Sequence, residues 1–468
     1  MLSGSRGIVG VVILLVVAFS ASRGGSAQSA LPVVPGGQGY GMTTRAAYGC
    51  GTNPAVLRVT NLNDSGAGSL RDALSATGPR VVVFETSGTI ALGSDINIVE
   101  PCLTLAGQTA PSPGITVRNG GLNVYAHHVL LQHVRIRPGD GGPILPQTSD
   151  HDATIVYGAY GHTPHDIVYD HVSLSWGGGK NSIIAANSST ANITFWHCIL
   201  SEALYYAKNV IVTPGQPSSL GMLIGSSGPV SIIGNLFAHN SDRNPEIHEG
   251  SDVQFVNNVV YDWGKDQTSY PWATFFYVGG PGIWKASVVG NKYIAGPAPS
   301  PFTPLYAVGV WSGDSGSQLY MNDNAIDQTR QAVLPFYNHA GFDPVVSSPP
   351  VPLTGITVRP SSMIEGYVLG NAGARPADRD PVDRRIVDEV TNRTGRVISS
   401  QDQVGGWPAL AVNTRPLTLP ANPHAQTSSG YTNLETWLQG YSAAVEAGGV
   451  TNQPPPLLAP AHVRLLRQ

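Results

Sequence analysis

The run Asp166-Ile167-Val168-Tyr169-Asp170-His171-Val172-Ser173-Leu174 decides the fold, because its pattern returns at 128–136, 192–200, 230–238, 253–261 and 286–294. Each copy is a short apolar run broken near its end by one polar residue. Aligned on that residue, the copies share His133, His171, His197, Asn235, Asn258 and Asn291. These positions recur 23 to 38 residues apart, which is one turn of a coil, with a loop added in the longer cases. In a parallel coil each turn sits about 4.8 Å above the last, so a polar residue repeated at one bend stacks on its counterparts. Asn side chains in such a stack hydrogen-bond in a ladder. The sequence therefore predicts one continuous coil with a polar column along one bend.

Outward from these copies, residues 80–296 keep the same character. Short Val- and Ile-rich runs are separated by Gly, Asn, Asp and Pro, with almost no helical periodicity. That excludes a doubly wound α/β fold, in which helices alternate with strands. The 468 residues fit one elongated repeat, since repeats grow without a larger globular core. Charged residues make up only 12% of the chain, and the net charge is −4. That balance carries no electrostatic footprint for nucleic acid.

The ends read as caps. Ser69 opens a short helix over Leu70–Leu74 with a capping-box start, placed to cover the first coil. Asp380 and Pro381 open a second helix, whose stripe Val382, Ile386 and Val390 packs on the outside of the coil and which Gly395 ends. Residues 431–444 read as a terminal helix. Arg6, the apolar run 7–21 and Gly25-Ser26-Ala27 read as a signal peptide over 1–27. The run is shorter than the roughly 20 residues that span a bilayer. The expected organisation is thus 1–27 signal peptide, 28–79 N-terminal segment and cap helix, 80–340 coil with a groove, and 341–468 C-terminal extension with helices on the coil. The expected product is a secreted or periplasmic monomer without a membrane partner. Of the three cysteines, Cys50, Cys102 and Cys198, an exported chain allows one disulfide and one free thiol, and Cys102 and Cys198, in strand-like runs, can equally be small buried apolar residues.

Several motifs resemble the bacterial pectate lyase-like family. They are Val59-Thr60-Asn61-Leu62-Asn63-Asp64-Ser65-Gly66, Leu105-Ala106-Gly107-Gln108-Thr109-Ala110-Pro111 and Val134-Arg135-Ile136-Arg137-Pro138-Gly139. Tyr169-Asp170-His171 and Ser241-Asp242-Arg243-Asn244-Pro245 are similar to the family's Asp-His strand and catalytic Arg-x-Pro motifs. The resemblance implies an all-β right-handed parallel β-helix with short capping helices. It also implies an acidic polysaccharide substrate cleaved by β-elimination.

On the same resemblance, Arg243 is the catalytic base or an electrostatic stabiliser; the competing assignment is a surface ion pair with Asp242 or Glu246. Asp150 and Asp152 stand where the family binds calcium. The next coil has Lys180 and about Ile184 where two more carboxylates belong, so Lys180 places an ammonium at the metal position. The family's catalytic lysine is replaced by Leu220 or Ser219, and Lys208 is the cation that can reach in. His248 replaces a second arginine and, with Asp170 beside the cleft, is assigned to substrate binding. Two other readings stand against this one. A coil that has lost its cations would only bind carbohydrate. A glycoside hydrolase would need two opposed carboxylates from Asp150, Asp152, Asp170 and Glu202. Gly313-Asp314-Ser315-Gly316 reads as a turn, and His127, His128, His162, His165 and His171 as ordinary hydrogen-bonded histidines rather than a transition-metal set.

Overall fold

The computed structural model describes residues 31–51, 53–140, 151–158, 161–185, 191–208, 217–225, 228–265, 270–297 and 300–447. The expected signal peptide and Asp150 lie outside the described residues. Among the described residues no helix is long and apolar enough to cross a membrane.

The chain winds as a coil of parallel strands. Val129–Gln132 is followed by Val134–Arg137 and Thr154–Tyr157, and the chain then returns as His165–Asp170. Asp170 there lies opposite Gln132. Repetition of this circuit stacks sheet one with ten strands, sheet two with nine and sheet three with nine, in the order in which each turn visits them. This is the right-handed parallel β-helix expected. Strand Ala55–Val59 pairs with Arg80–Phe84, so the coil begins before residue 80. Phe84, Leu131, Ile136, Phe195, Ile224 and Phe276 belong to one apolar cluster that fills the interior.

The polar column is real but is two columns, not one. Asn235, Asn258, Asn291 and Asn324 form the ladder, with Nδ2 to Oδ1 distances of 3.0, 3.1 and 2.9 Å. Each Nδ2 of the ladder also donates to a main-chain carbonyl of an earlier coil. Every amide nitrogen of the ladder is thereby hydrogen-bonded, and removing one side chain would strand its neighbour at a cost of roughly 1–3 kcal/mol. The histidines sit one residue earlier. His133, His171 and His197 share their column with Gly234 and Asn257, and all five have positive φ. This is the left-handed residue that turns the chain from sheet one to sheet two. A Cβ at Gly234 would meet His197 Cδ2 at 2.4 Å, so the coil above His197 takes glycine, whereas His171 and His197 themselves stack above histidines. A one-residue offset moves a side chain from the inside to the outside of the coil, which is why the two polar sets do not mix.

The helices cover outer faces. In helix α1, Leu70–Ser75, Ser69 Oγ accepts from the Asp72 amide, and Leu70, Ala73 and Leu74 join the core at the first coil. Helix α2, Ile364–Asn371, was not legible in the sequence. It packs with helix α3, Pro381–Asn392, over Ile199, Leu236, Val259 and Ile294 of sheet two. Asp380 caps α3, which ends at Arg393 in the left-handed conformation, two residues before the expected Gly395. Helix α4, Asn433–Glu446, has a full capping box between Thr432 and Glu435 and lies over Val81, Val83 and Ala106 of sheet one. Cys50 and Cys102 form the disulfide, and Cys198 is a buried thiol.

Candidate active site

Sheet three carries Arg243. Ile247 belongs to the interior cluster, so its neighbours on the strand, Glu246 and His248, point outward. Arg243 precedes that strand with φ 59°, and its amide donates to Asp242 Oδ1 at 2.8 Å. Arg243 Nε lies 2.6 Å from Glu246 Oε2, and His248 Nε2 lies 2.8 Å from Glu246 Oε1. One buried carboxylate thus ties a guanidinium and an imidazole together. Burial pushes the Asp242 carboxyl up to about 7, reinforced by the charge of Glu246 and opposed by Arg243.

Lys180 lies in the same sheet. The register aligns it with Leu220, and Leu220 bridges to Asp242. Two coils separate Lys180 from the Arg243 level, roughly 10 Å. Leu220 occupies the place between them, where the family resemblance would put a lysine.

The remaining expectations fall elsewhere. Lys208 is exposed, and its Nζ lies 3.9 Å from Asp140 Oδ2. Asp170 is on sheet one, fully buried, and is held by Gln132 Nε2 at 2.7 Å and His171 Nδ1 at 2.7 Å. It does not face the Arg243 site, because the circuit of the coil places the two on different walls. Ile184 points into the core. Glu202 is buried, accepts from Trp176 and is paired with Arg385 on α3. Asp152, Asp170 and Glu202 therefore stand on or beside three different sheets, and no two of them face one another across a groove as hydrolysis requires.

The described residues do not fit calcium. Asp152 is buried, and its Oδ1 accepts the Lys180 amide at 2.5 Å. Calcium takes six to eight oxygens, whereas the next coil offers Lys180 and core-facing Ile184.

Sequence reasoning missed an aromatic column beyond His248. Phe276 and Val310 face the core, so Tyr277 and Trp311, the next residues along their strands, face outward. The His248 and Tyr277 rings are 5.1 Å apart, and Trp311 stacks on His339 at 4.5 Å. The signal was there: each aromatic follows a core residue at the same register of successive coils.

No family profile matches the chain. It is 32% identical over 441 residues, 88% of its own length and 94% of the relative's, to a probable pectate lyase C of Aspergillus fumigatus. Identity is 30% over 438 residues, 87% and 92% of the two chains, to a probable pectate lyase C of Emericella nidulans. Pectate lyase 2 of Ambrosia artemisiifolia is 25% identical over 270 residues, 54% of this chain and 60% of that one. Among solved structures, the crystal structure of jun a 1, the major allergen from cedar pollen, matches with a TM-score of 0.50. It is 14% identical over 71% of this chain and 91% of that one, a likeness of fold alone. These relatives are fungal and plant proteins, so the similarity gives no support to the bacterial branch that the motifs resembled.

Proposed function

This chain belongs to the pectate lyase family, and on that premise we propose that Arg243, held by Glu246, is the catalytic cation of a lyase acting on a uronate polysaccharide. In β-elimination the proton leaves the carbon next to the carboxylate, and its electron pair forms the new double bond. The glycosidic oxygen on the following carbon departs and takes up a proton. The carbon acid is weak, so the enzyme must stabilise the negative charge that develops on the carboxylate.

The observation that carries the reading is the Arg243–Glu246–His248 array on the outer face of sheet three. The family resemblance offers Arg243 as base. A guanidinium beside a carboxylate keeps its proton, so we assign Arg243 to the substrate carboxylate, where its terminal nitrogens donate in parallel. His248 directs Nε2–H to Glu246, which leaves Nδ1 with a lone pair, and this is our proton acceptor. Lys180 is placed to hold the carboxylate of a neighbouring sugar, and Tyr277 and Trp311 offer ring faces beyond His248. No step is routed through calcium. The substrate lies outside the cell in this reading, consistent with export of a monomer by the N-terminal apolar run.

The experiment is incubation with polygalacturonate, followed by the ultraviolet absorbance of the unsaturated product, in calcium and in a calcium-selective chelator. Absorbance should rise in both. In Arg243→Ala the rate should fall by about 10²–10³, with an unchanged melting temperature. His248→Ala should lose the ascending limb of the pH–rate profile. New reducing ends without the chromophore would mean hydrolysis and would end the lyase reading.

A further inference from the structure

We propose that His133, Asp170, His171 and Glu446 form a binding site for a zinc-like transition-metal ion, on sheet one and apart from the Arg243 face. The four donor atoms lie within 4.8 Å of one another. Three come from adjacent coils. The fourth comes from the last turn of α4, far along the chain. His133 and Asp170 are fully buried, and His171 nearly so.

The hydrogen bonds around the cluster fix its chemistry. His133 Nδ1 donates to the Ala374 carbonyl at 2.7 Å. His133 Nε2, the ring nitrogen left for a ligand, is buried and lies 3.2 Å from Glu446 Oε1. A cation placed there would be held by both the imidazole nitrogen and the carboxylate oxygen. His171 Nδ1 is 3.8 Å from the same oxygen and 2.7 Å from Asp170 Oδ1. Donors bound to zinc at 2.0–2.2 Å are separated by about 3.3–3.6 Å in a tetrahedron; the 3.2 and 3.8 Å separations lie close to that range, and the 2.7 Å His171–Asp170 hydrogen bond would open as the ion replaces its proton.

The outer shell is that of a metal site. A ligating histidine commonly donates its other ring nitrogen to a carbonyl, as His133 does. Asp170 Oδ2 is fixed by Gln132 Nε2 at 2.7 Å, and Gln132 Oε1 accepts from Gln108 at 2.9 Å. The His133 and His171 rings stack at 5.1 Å with 12° between planes, so the coil spacing holds both in place. A cavity of about 330 Å³, lined by Gln132, Gln439 and Glu446 among others, opens beside the cluster as a route in. Two imidazoles and two carboxylates suit zinc or cobalt; calcium would want oxygen alone. Binding displaces the proton on His171 Nδ1, so metal uptake releases at least one proton.

The test uses the untagged chain, stripped of metal and titrated with cobalt(II) at neutral pH. One equivalent should produce the visible bands of a four-coordinate ion, zinc should remove them, and the melting temperature should rise with either metal. Glu446→Gln changes a side chain 33% exposed at the end of a helix, so it will fold. It should weaken cobalt binding at least tenfold, and His133→Gln should abolish the bands. A cluster held only by protonated histidines would give no bands and no thermal shift. That result, or undiminished bands in both variants, overturns the proposal. Elimination activity is not the readout, so the lyase reading stands or falls separately.

Discussion

Two arginine–carboxylate clusters on this molecule look alike in sequence and differ in what they can do. Arg137 is completely buried, with Nη2 2.6 Å from Asp383 and 3.1 Å from Asp380. Burial alone would lower its pKa, but the two carboxylates more than reverse this and fix its charge. Arg243 has one carboxylate and a side chain 26% exposed. In the first cluster every charge is spent on joining α3 to sheet two. In the second, the ion pair is at Nε and the side chain stays partly exposed, which is why we propose that its terminal nitrogens meet the substrate. Both arginines sit in family motifs, so motif membership alone does not separate a clamp from a proposed catalyst; exposure and the count of partners are what differ.

The contrast is broken most forcefully at Arg137. Arg137→Ala strands Asp380 and Asp383 in a buried site, and should cost roughly 3–5 kcal/mol of stability. Denaturant unfolding reads this as a lowered midpoint, while the surviving folded fraction keeps its rate per molecule. A specific loss of rate with normal stability would move Arg137 into the active site. Arg243→Ala should do the reverse, as described above.

A third cluster sharpens the comparison through pH. His239 is buried between Asp262 Oδ2 at 2.6 Å and Glu389 Oε2 at 3.3 Å, and thereby ties α3 to the coil. Burial disfavours its charge, but hydrogen bonding to the two carboxylates raises its pKa from 6.5 to about 9. A raised folded-state pKa stabilises fully below the unfolded value and ceases to do so as pH climbs through the folded one. Stability should therefore decline between about pH 6.5 and 9, by up to roughly 3 kcal/mol from this group. His239→Gln should flatten that part of the curve. An unchanged slope would mean that His239 is neutral in the folded protein.

Much of this was legible in the sequence, for a physical reason. A parallel coil repeats its environment every turn, so the Val and Ile runs and the bend residues recur in register and can be aligned by eye. What the alignment could not fix was phase. The left-handed bend residue and the ladder Asn are neighbours, and only the hydrogen-bonded register separates His197 from Asn235. Helix α2 was missed because Gly366 and Gly370 weaken its propensity and its packing partners are strands of sheet two. In the candidate site, Arg243 and His248 were found by motif. The pairing of Arg243 with Glu246 was foreseen only as a competing surface ion pair, and its extension to His248 was not, since alternation outward from Ile247 becomes decisive only when the core is known. The cluster at His133 was invisible for a different reason: its fourth member arrives on α4, and no local spacing connects that helix to residue 133.

The smallest expected effect concerns Lys208, the cation proposed to substitute for the missing lysine at Leu220. Its side chain is 73% exposed, and its neighbour Asp140 is already engaged by Ser400 Oγ at 3.1 Å. An exposed ammonium at 3.9 Å gains little from a carboxylate with another partner, and water screens what remains. Lys208→Ala should leave elimination within about twofold and stability within roughly 0.5 kcal/mol. Lys180→Ala, on the sheet that bears Arg243, should instead raise KM with less effect on kcat, as expected of a group that binds a neighbouring carboxylate. If Lys208 proved the more damaging of the two, the substrate would have to run past Asp140. The face of sheet three would then be only one edge of the site.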